Sequence, residues 1–206
     1  MASSIRLVLA SGSPARLDTL RAAGLPPVVM VSDADESPEP GEDAAQLVCR
    51  LAELKARLVA ARLNRERASQ TTVVVGCDSV LELDGQAYGK PQTPDVATER
   101  WRRMRGRSGI LHTGHHVRVI RPDGEQGLTR GAATTVHFAD VTDAEIAAYV
   151  ATGEPLAVAG AFTVDGLGGP FVTHIEGDHH NVVGLSLPLL RTMLVELGIT
   201  WPELWG

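Results

Sequence analysis

Seven side chains in this sequence have the types and settings to handle a phosphoanhydride: the hydroxyls of Ser11 and Ser13, the cations Arg16, Lys55 and Lys90, and the carboxylates Glu36 and Asp78. Cations gathered beside the free N–H groups of a helix N-terminus suit a polyphosphate. Two carboxylates suit a hard divalent ion that keeps several of its waters. Together they point to metal-assisted phosphoanhydride chemistry. Asp78 is the sharpest of the set. In Gly76-Cys77-Asp78-Ser79 it lies between the apolar runs Thr72–Val75 and Val80–Leu83, where a carboxylate is costly to bury unless a cation or hydrogen-bond donors meet it. A turn-capping aspartate at a strand break is the competing reading. The patterns GxxxxGK[ST] and GxGxxG are both absent, which removes support for a P-loop NTPase or a Rossmann dehydrogenase.

These residues need elements to position them. Ile5 to Ala10 reads as a strand that stops at Ser11-Gly12-Ser13-Pro14, after which Leu17 and Leu20 take helical spacing. Ser13 is a good N-cap, Pro14 tolerates the missing N–H of a first helical position, and Gly24 closes the far end. Val28–Val31 predicts a second strand, leading into an acidic loop with Glu36. Leu47, Leu51, Leu54 and Leu58 predict an amphipathic helix from Asp43 to Leu63 with Lys55 at the edge of its buried stripe, about 40° round from Leu51. Asp84-Gly85 reads as a turn, Gly89-Lys90-Pro91 as a bend, and Thr93-Pro94 as the start of a helix to Met104. Strands are expected near Gly114–Ile120, Ala132–Phe138 and Phe171–Ile175. Thr142 and Glu145 predict a capping box, Asn181 to Leu185 a loop end, and Pro188–Leu197 a last helix. Strands alternating with helices, then a β-rich middle, give a mixed α/β body with a smaller lobe and a cleft between them.

Composition limits the partners. With 44% hydrophobic and 21% charged residues over 206 positions, the chain can bury a substantial core. A net charge of -6 repels long nucleic acid, and 4% aromatics leave few stacking platforms for single strands. No segment reaches the ~18 apolar residues of a membrane span. Nothing at the N-terminus reads as an export signal, and two cysteines make no disulfide framework, so a reducing, cytoplasmic setting is expected. Cys49 and Cys77 read as packing residues. His112, His115 and His116, with His174, His179 and His180, raise a zinc hydrolase as a remote alternative, because adjacent strand histidines face opposite ways. Read singly, Ser11 and Ser13 are a plain helix cap, and Glu36, Lys55 and Lys90 are solvated charge.

In combination the residues resemble the Maf family of nucleoside triphosphate pyrophosphatases, in particular its actinobacterial-type members. LASGSPAR (Leu9 to Arg16) looks like the family's LASxSPRR, SDADE (Ser32 to Glu36) like its acidic DE element, and LAELKA (Leu51 to Ala56) like LAxxKA. GCDSV (Gly76 to Val80) resembles GADTV, and GKP (Gly89 to Pro91) is identical to the family motif. GEP (Gly153 to Pro155), AGAF (Ala159 to Phe162) and NVVGLSL (Asn181 to Leu187) resemble the C-terminal motifs GEP, AGAY and NVVGLPL. The resemblance runs over essentially the whole chain, 1–206, as a single domain. It implies a mixed elongated sheet flanked by helices, two lobes around a central cleft, as in the Maf/ITPase type.

The resemblance also implies hydrolysis of a nucleoside triphosphate to the monophosphate and pyrophosphate, dependent on a divalent cation (Mg or Mn), in a cytoplasmic protein that is often a homodimer. Removal of non-standard nucleotides and cell-division arrest are the associated roles. Asp78 would activate water and, with Glu36, touch the metal; Ser11, Ser13, Arg16, Lys55 and Lys90 would hold the phosphates. Ala15, Ser79 and Asp165 stand at positions associated with base selectivity, where the family usually has Arg or Trp, Thr and Gln. Gly109 replaces a common histidine and Val158 a common lysine. These departures leave a second hypothesis, a nucleotide-binding division regulator with little or no turnover.

Overall fold

The structure, a computed structural model, describes residues 5–63 and 70–205. In chain order the strands are β1 (Arg6–Leu9), β2 (Val28–Val29), β3 (Thr72–Leu83), β4 (Gln86–Tyr88), β5 (Ser108–Arg121), β6 (Gly124–Phe138) and β7 (Val172–Glu176). The helices are α1 (Pro14–Ala22), α2 (Ala44–Leu63), α3 (Pro94–Met104), α4 (Asp143–Ala151), α5 (His179–Val183) and α6 (Leu187–Glu196). One mixed sheet runs β2-β1-β3-β5-β6-β7, with β4 hairpinned onto β3 through the Asp84-Gly85 turn. β1 pairs parallel to both β2 and β3; β3, β5, β6 and β7 are antiparallel. Among the described residues no helix is long and apolar enough to cross a membrane.

The expected elements form, and the differences have physical causes. Gly76 to Ser79 is no break: β3 is a single twelve-residue strand, and Asp78 sits inside it, paired with Gly114 of β5. Ladder hydrogen bonds continue through the four residues because β5 offers an unbroken partner. β5 and β6 are longer than their β-branched segments suggest, extending through Ser108–Leu111 and Glu125–Gly131, since a tight Pro122-Asp123 turn lets each residue pair with its opposite number. Met30 and Val31 fall outside β2, which is a short edge strand. The segment from His179 is helical rather than a loop, capped by Asp178, whose side chain accepts from His180 N, and closed by Gly184 at φ +113°.

Alternation along β3 explains where the cleft lies. One face carries Val73, Val75 and Cys77, which pack with Leu20 of α1 and Leu190 and Met193 of α6. Beyond Ser79 the same face resumes with Leu81 and Leu83, which join a separate cluster around Trp101 and Ile146. The opposite face splits in the same place: Val74 packs with Ala56 and Val59, Val80 with Leu47, Val48 and Leu51. Positions 78 and 79 are thus the polar seam between two core halves sharing the same long strands.

Helix α2 rests on this seam. A Cβ on Gly76 would lie 2.3 Å from Ala52 O, and one on Gly114 would lie 2.1 Å from Val48 O. Only glycine permits such a close approach of helix backbone to sheet backbone. Buried positions of α2 run through 47/48, 51/52, 55/56 and 59/60. Lys55 therefore lies in the middle of the buried stripe, not at its edge, and Leu58 is an exposed residue. The leucine spacing pointed to a neighbouring face because alanines, small and uninformative on a leucine count, carry the real contact.

Candidate active site

Parallel pairing of Leu9 with Val75 sets the turn after β1 level with the middle of β3. The turn contains Ser11 and Ser13, and α1 begins at Pro14 with the Ser13 side chain as its cap. The positive end of that helix faces a cleft of about 390 Å³, lined among others by Ser13, Ala15, Arg16, Asp78, Ser79 and Lys90. Glu36, Val158 and Asp165 line it as well. Clefts at the carboxyl ends of parallel strands are where α/β proteins place ligands.

Arg16 is buried and directs four N–H groups at the protein. Nε donates to Gly184 O at 2.7 Å; Nη1 donates to Ser11 Oγ at 3.0 Å and Cys77 O at 2.8 Å; Nη2 donates to Ser79 Oγ at 2.9 Å. A guanidinium has five N–H donors, so one is left for a ligand. Arg16 is mainly the clamp that ties α1, β3 and the α5–α6 turn together. Ser11 Oγ also accepts from Ser13 N at 3.2 Å, which leaves its own hydroxyl proton to donate. Thr113 Oγ1 donates to Asn181 O at 3.1 Å and lies 2.9 Å from Ser79 Oγ, so the Ser79 proton is directed at Thr113.

Lys55 sits at the focus of the two carboxylates. Its Nζ donates to Asp78 Oδ1 at 2.6 Å and pairs with Glu36 Oε1 at 2.6 Å, so these oxygens are no further apart than twice that distance. The Lys55 and Asp78 side chains are only 9% and 11% exposed, while that of Glu36 is 52% exposed. Partial burial pushes the Glu36 carboxyl upward, but the Lys55 hydrogen bond and charge, with Lys90 and Arg16 further off, outweigh it and hold Glu36 below the ordinary carboxylate range. Two hard oxygen ligands converging on one cation fit a magnesium-class ion, which takes one or two carboxylates and completes its shell with water and substrate phosphates. Among the described residues no group of three or more His, Cys, Asp and Glu is arranged to hold a metal ion by itself.

Lys90 is exposed on its bend. Gly89 O accepts both from Arg100 Nη1 and from Gly160 N, the latter at 3.2 Å, and Gln92 N donates to Leu156 O at 3.1 Å. Arg100 also stacks 4.9 Å above the Tyr88 ring. Helix α3 and the glycine-rich segment thereby fix where Lys90 can reach. Nothing in residue type or spacing singled out Arg100 or Thr113, because each acts through a partner distant in sequence. Asn181 had a signal only in its NVVGL context.

Cys77, His115 and His116 are packing groups, whereas His174, His179 and His180 are exposed. Cys77 is fully buried, and burial pushes its thiol up to about 11, which keeps it protonated. His115 accepts from Ser186 N through Nε2 at 2.8 Å, and His116 pairs with Thr129 Oγ1 at 2.7 Å. Burial holds both imidazoles down at about 4, with the Arg16 charge adding to the effect at His115. Both stay neutral in the folded state while an unfolded histidine titrates near 6.5. As pH falls from about 6.5 toward 4 the unfolded chain takes up protons that the native state refuses, so stability is lost across that window. Each histidine should remove on the order of 1 kcal/mol per pH unit. Urea unfolding at pH 7, 6 and 5 checks this, and equal midpoints at all three would refute it.

The Maf-like protein family model matches residues 6–197. A nucleoside triphosphate pyrophosphatase of Salinispora tropica is 58% identical over 202 residues, covering 98% of this chain and 88% of that protein. One of Cutibacterium acnes, named in the same way, is 56% identical over 200 residues, 97% of this chain and 94% of its own length. The solved Staphylococcus aureus Ham1 protein is a distant likeness, with a TM-score of 0.38 and 18% identity over 66% of this chain and 72% of that one, too slight to bear on the fold. A family match over nearly the full length makes this chain a member of the Maf-like protein family.

Proposed function

We propose that the chain works as one unit to hydrolyse nucleoside triphosphates to the monophosphate and pyrophosphate at the Asp78 seam. The observation that carries the reading is the Lys55 ammonium held 2.6 Å from both Asp78 and Glu36, the two carboxylates that line a cleft faced by a helix N-terminus. The names of the two relatives above support the same reaction. The triphosphate lies with its phosphates toward Lys90, the Ser11 and Ser13 hydroxyls, the start of α1 and the remaining Arg16 N–H. Asp78 Oδ1 is engaged by Lys55, and Oδ2 takes the proton of a water. The water oxygen bonds to the α-phosphorus, the α–β anhydride bond breaks, and pyrophosphate departs with its electron pair. Glu36 and Asp78 would hold a Mg or Mn ion, whose charge neutralises the phosphate oxygens when bound.

Lys55 has two duties in this reading. Without substrate it draws the two carboxylates together and offsets their mutual repulsion, and with substrate it turns part of its charge toward the phosphates. Truncating Lys55 to methionine keeps the buried stem and removes the charge. Turnover should fall by about 10²-fold, the usual loss for one donor in an electrostatic site. Stability should drop by roughly 2 kcal/mol, below the 3–5 typical of a broken buried pair because water reaches Glu36. Full activity in Lys55→Met would remove it from the site.

Asp165 is an exposed carboxylate in the cleft wall, so it repels phosphates and is placed to accept from N–H or O–H donors of the nucleoside. Ser79, with its proton directed at Thr113, is likewise an acceptor, and Ala15 leaves open room. These three positions select among triphosphates. The decisive experiment offers canonical and modified triphosphates with Mg or Mn and measures pyrophosphate. Release from none of them would sink the hydrolysis, and tight binding without release would favour a nucleotide-binding regulator, consistent with the missing cation at Val158.

A further inference from the structure

Glu154 lies outside the charge cluster, yet its carboxylate is the most heavily hydrogen-bonded side-chain acceptor near the cleft. Its Oε1 accepts from Tyr149 Oη at 2.8 Å, Thr163 Oγ1 at 2.6 Å and Gly168 N at 3.0 Å, and its Oε2 accepts from Leu167 N at 3.0 Å. Among the described residues no cation is paired with it, so these donors alone stabilise its charge. Burial pushes the carboxyl up, and the bonds from Thr163, Leu167, Tyr149 and Gly168 outweigh that and hold it below the usual range.

Three of the four donors belong to residues 163–168, a stretch with no helix or strand of its own. A segment without a ladder needs another source of order. The chain just before it is anchored by Trp101 Nε1 donating to Ala161 O at 2.7 Å, and the carboxylate holds the segment itself. Packing is tight around that centre: a Cβ on Gly166 would fall 2.6 Å from Glu154 Oε2 and 2.8 Å from Thr163 Oγ1. The same segment puts Thr163, Val164 and Asp165 into the cleft wall.

We infer that Glu154 is a positioning residue for substrate selection: its carboxylate sets the path of residues 163–168, and through them places Asp165 against the nucleoside end of the bound triphosphate. This rests on the proposed hydrolysis, with the phosphates at the Lys90 end. Asp78, Glu36 and Lys55 sit on β3, in the loop before α2 and on α2, and make no contact with Glu154. Disturbing Glu154 therefore changes binding and selectivity while leaving the chemical step in place.

Glu154→Gln tests it, since glutamine keeps the shape but turns one acceptor into an NH₂ that faces N–H or O–H donors. The KM for the best triphosphate should rise about 10-fold with kcat within threefold, and the ranking of triphosphates by kcat/KM should compress. Gly166→Ala, which disturbs the same centre from the loop side, should give the same split. Amide exchange at Leu167 and Gly168 should quicken in both variants, with β3 unchanged. A fall in kcat at constant KM, or unchanged kinetics with quickened exchange, would overturn the inference; so would unchanged exchange. If wild-type protein releases no pyrophosphate, the hydrolysis reading fails separately. Glu154 is then judged by triphosphate Kd: a 10-fold weakening in Glu154→Gln supports it, and an unchanged Kd overturns it.

Discussion

Replacing Asp78 by asparagine should lower pyrophosphate release by about 10²- to 10⁴-fold, the range carried by a positioned general base. The side chain keeps its volume and still presents an oxygen to Lys55 Nζ, which lies 2.6 Å from Oδ1. What disappears is the charge that takes a proton from water and shares the cation with Glu36. Binding of the triphosphate should be weakened far less than turnover, because Lys90, the serine hydroxyls and the start of α1 remain. The fold should survive, since Glu36 still compensates the Lys55 ammonium. Kinetics, nucleotide titration and thermal melting of one preparation check all three statements. Release within threefold of wild type would remove Asp78 from the role of base.

The largest loss of stability should come from a single methyl group at Gly114. The added Cβ would stand 2.1 Å from Val48 O, 2.3 Å from Val48 C and 2.6 Å from Cys49 N. All three are backbone atoms in a twenty-residue helix, so no side-chain rotation relieves the clash and α2 must move off the sheet. Overpacking usually costs 1–3 kcal/mol, and a backbone-on-backbone clash belongs at or above the top of that range. Against a total stability of roughly 5–15 kcal/mol this is a large share. At about 2–4 °C per kcal/mol for a chain of this size, Tm should fall by ~10 °C. Lys55 moves with α2, so activity per folded molecule should fall too. Gly131 is the matched control: it pairs with Gly114 across the ladder, but its Cβ would meet only Cys49 Sγ at 3.2 Å. Gly131→Ala should melt within a few degrees of wild type, and a Gly114→Ala variant that does the same would refute the close-packing account.

Much of the candidate site is legible because its residues announce themselves by local context. Ser13 and Pro14 are recognisable as a cap and first turn without reference to anything distant, and the capping box of Thr142 and Glu145 forms as its spacing requires. Asp78 stood out because apolar neighbours on both sides make an uncompensated carboxylate expensive. Lys55 was harder. Its burial depends on which of two adjacent faces α2 presents, and that choice is made by Gly76 and Gly114 on strands far along the chain, not by the leucines of the helix.

Sequence by itself determined the types of group available: a cap, a cluster of cations, two acids, and the motif order that places the chain in its family. Those properties are local or additive along the chain, so they need no coordinates. Tertiary structure alone decided how the charges are shared. It directed four Arg16 N–H groups to the protein rather than to a ligand, put Lys55 between two acids, and wrapped residues 163–168 around Glu154. The physical reason is common to all three. A hydrogen bond or ion pair is set within about 3 Å between groups that here lie up to 168 residues apart, and only strand register and helix packing bring such groups together.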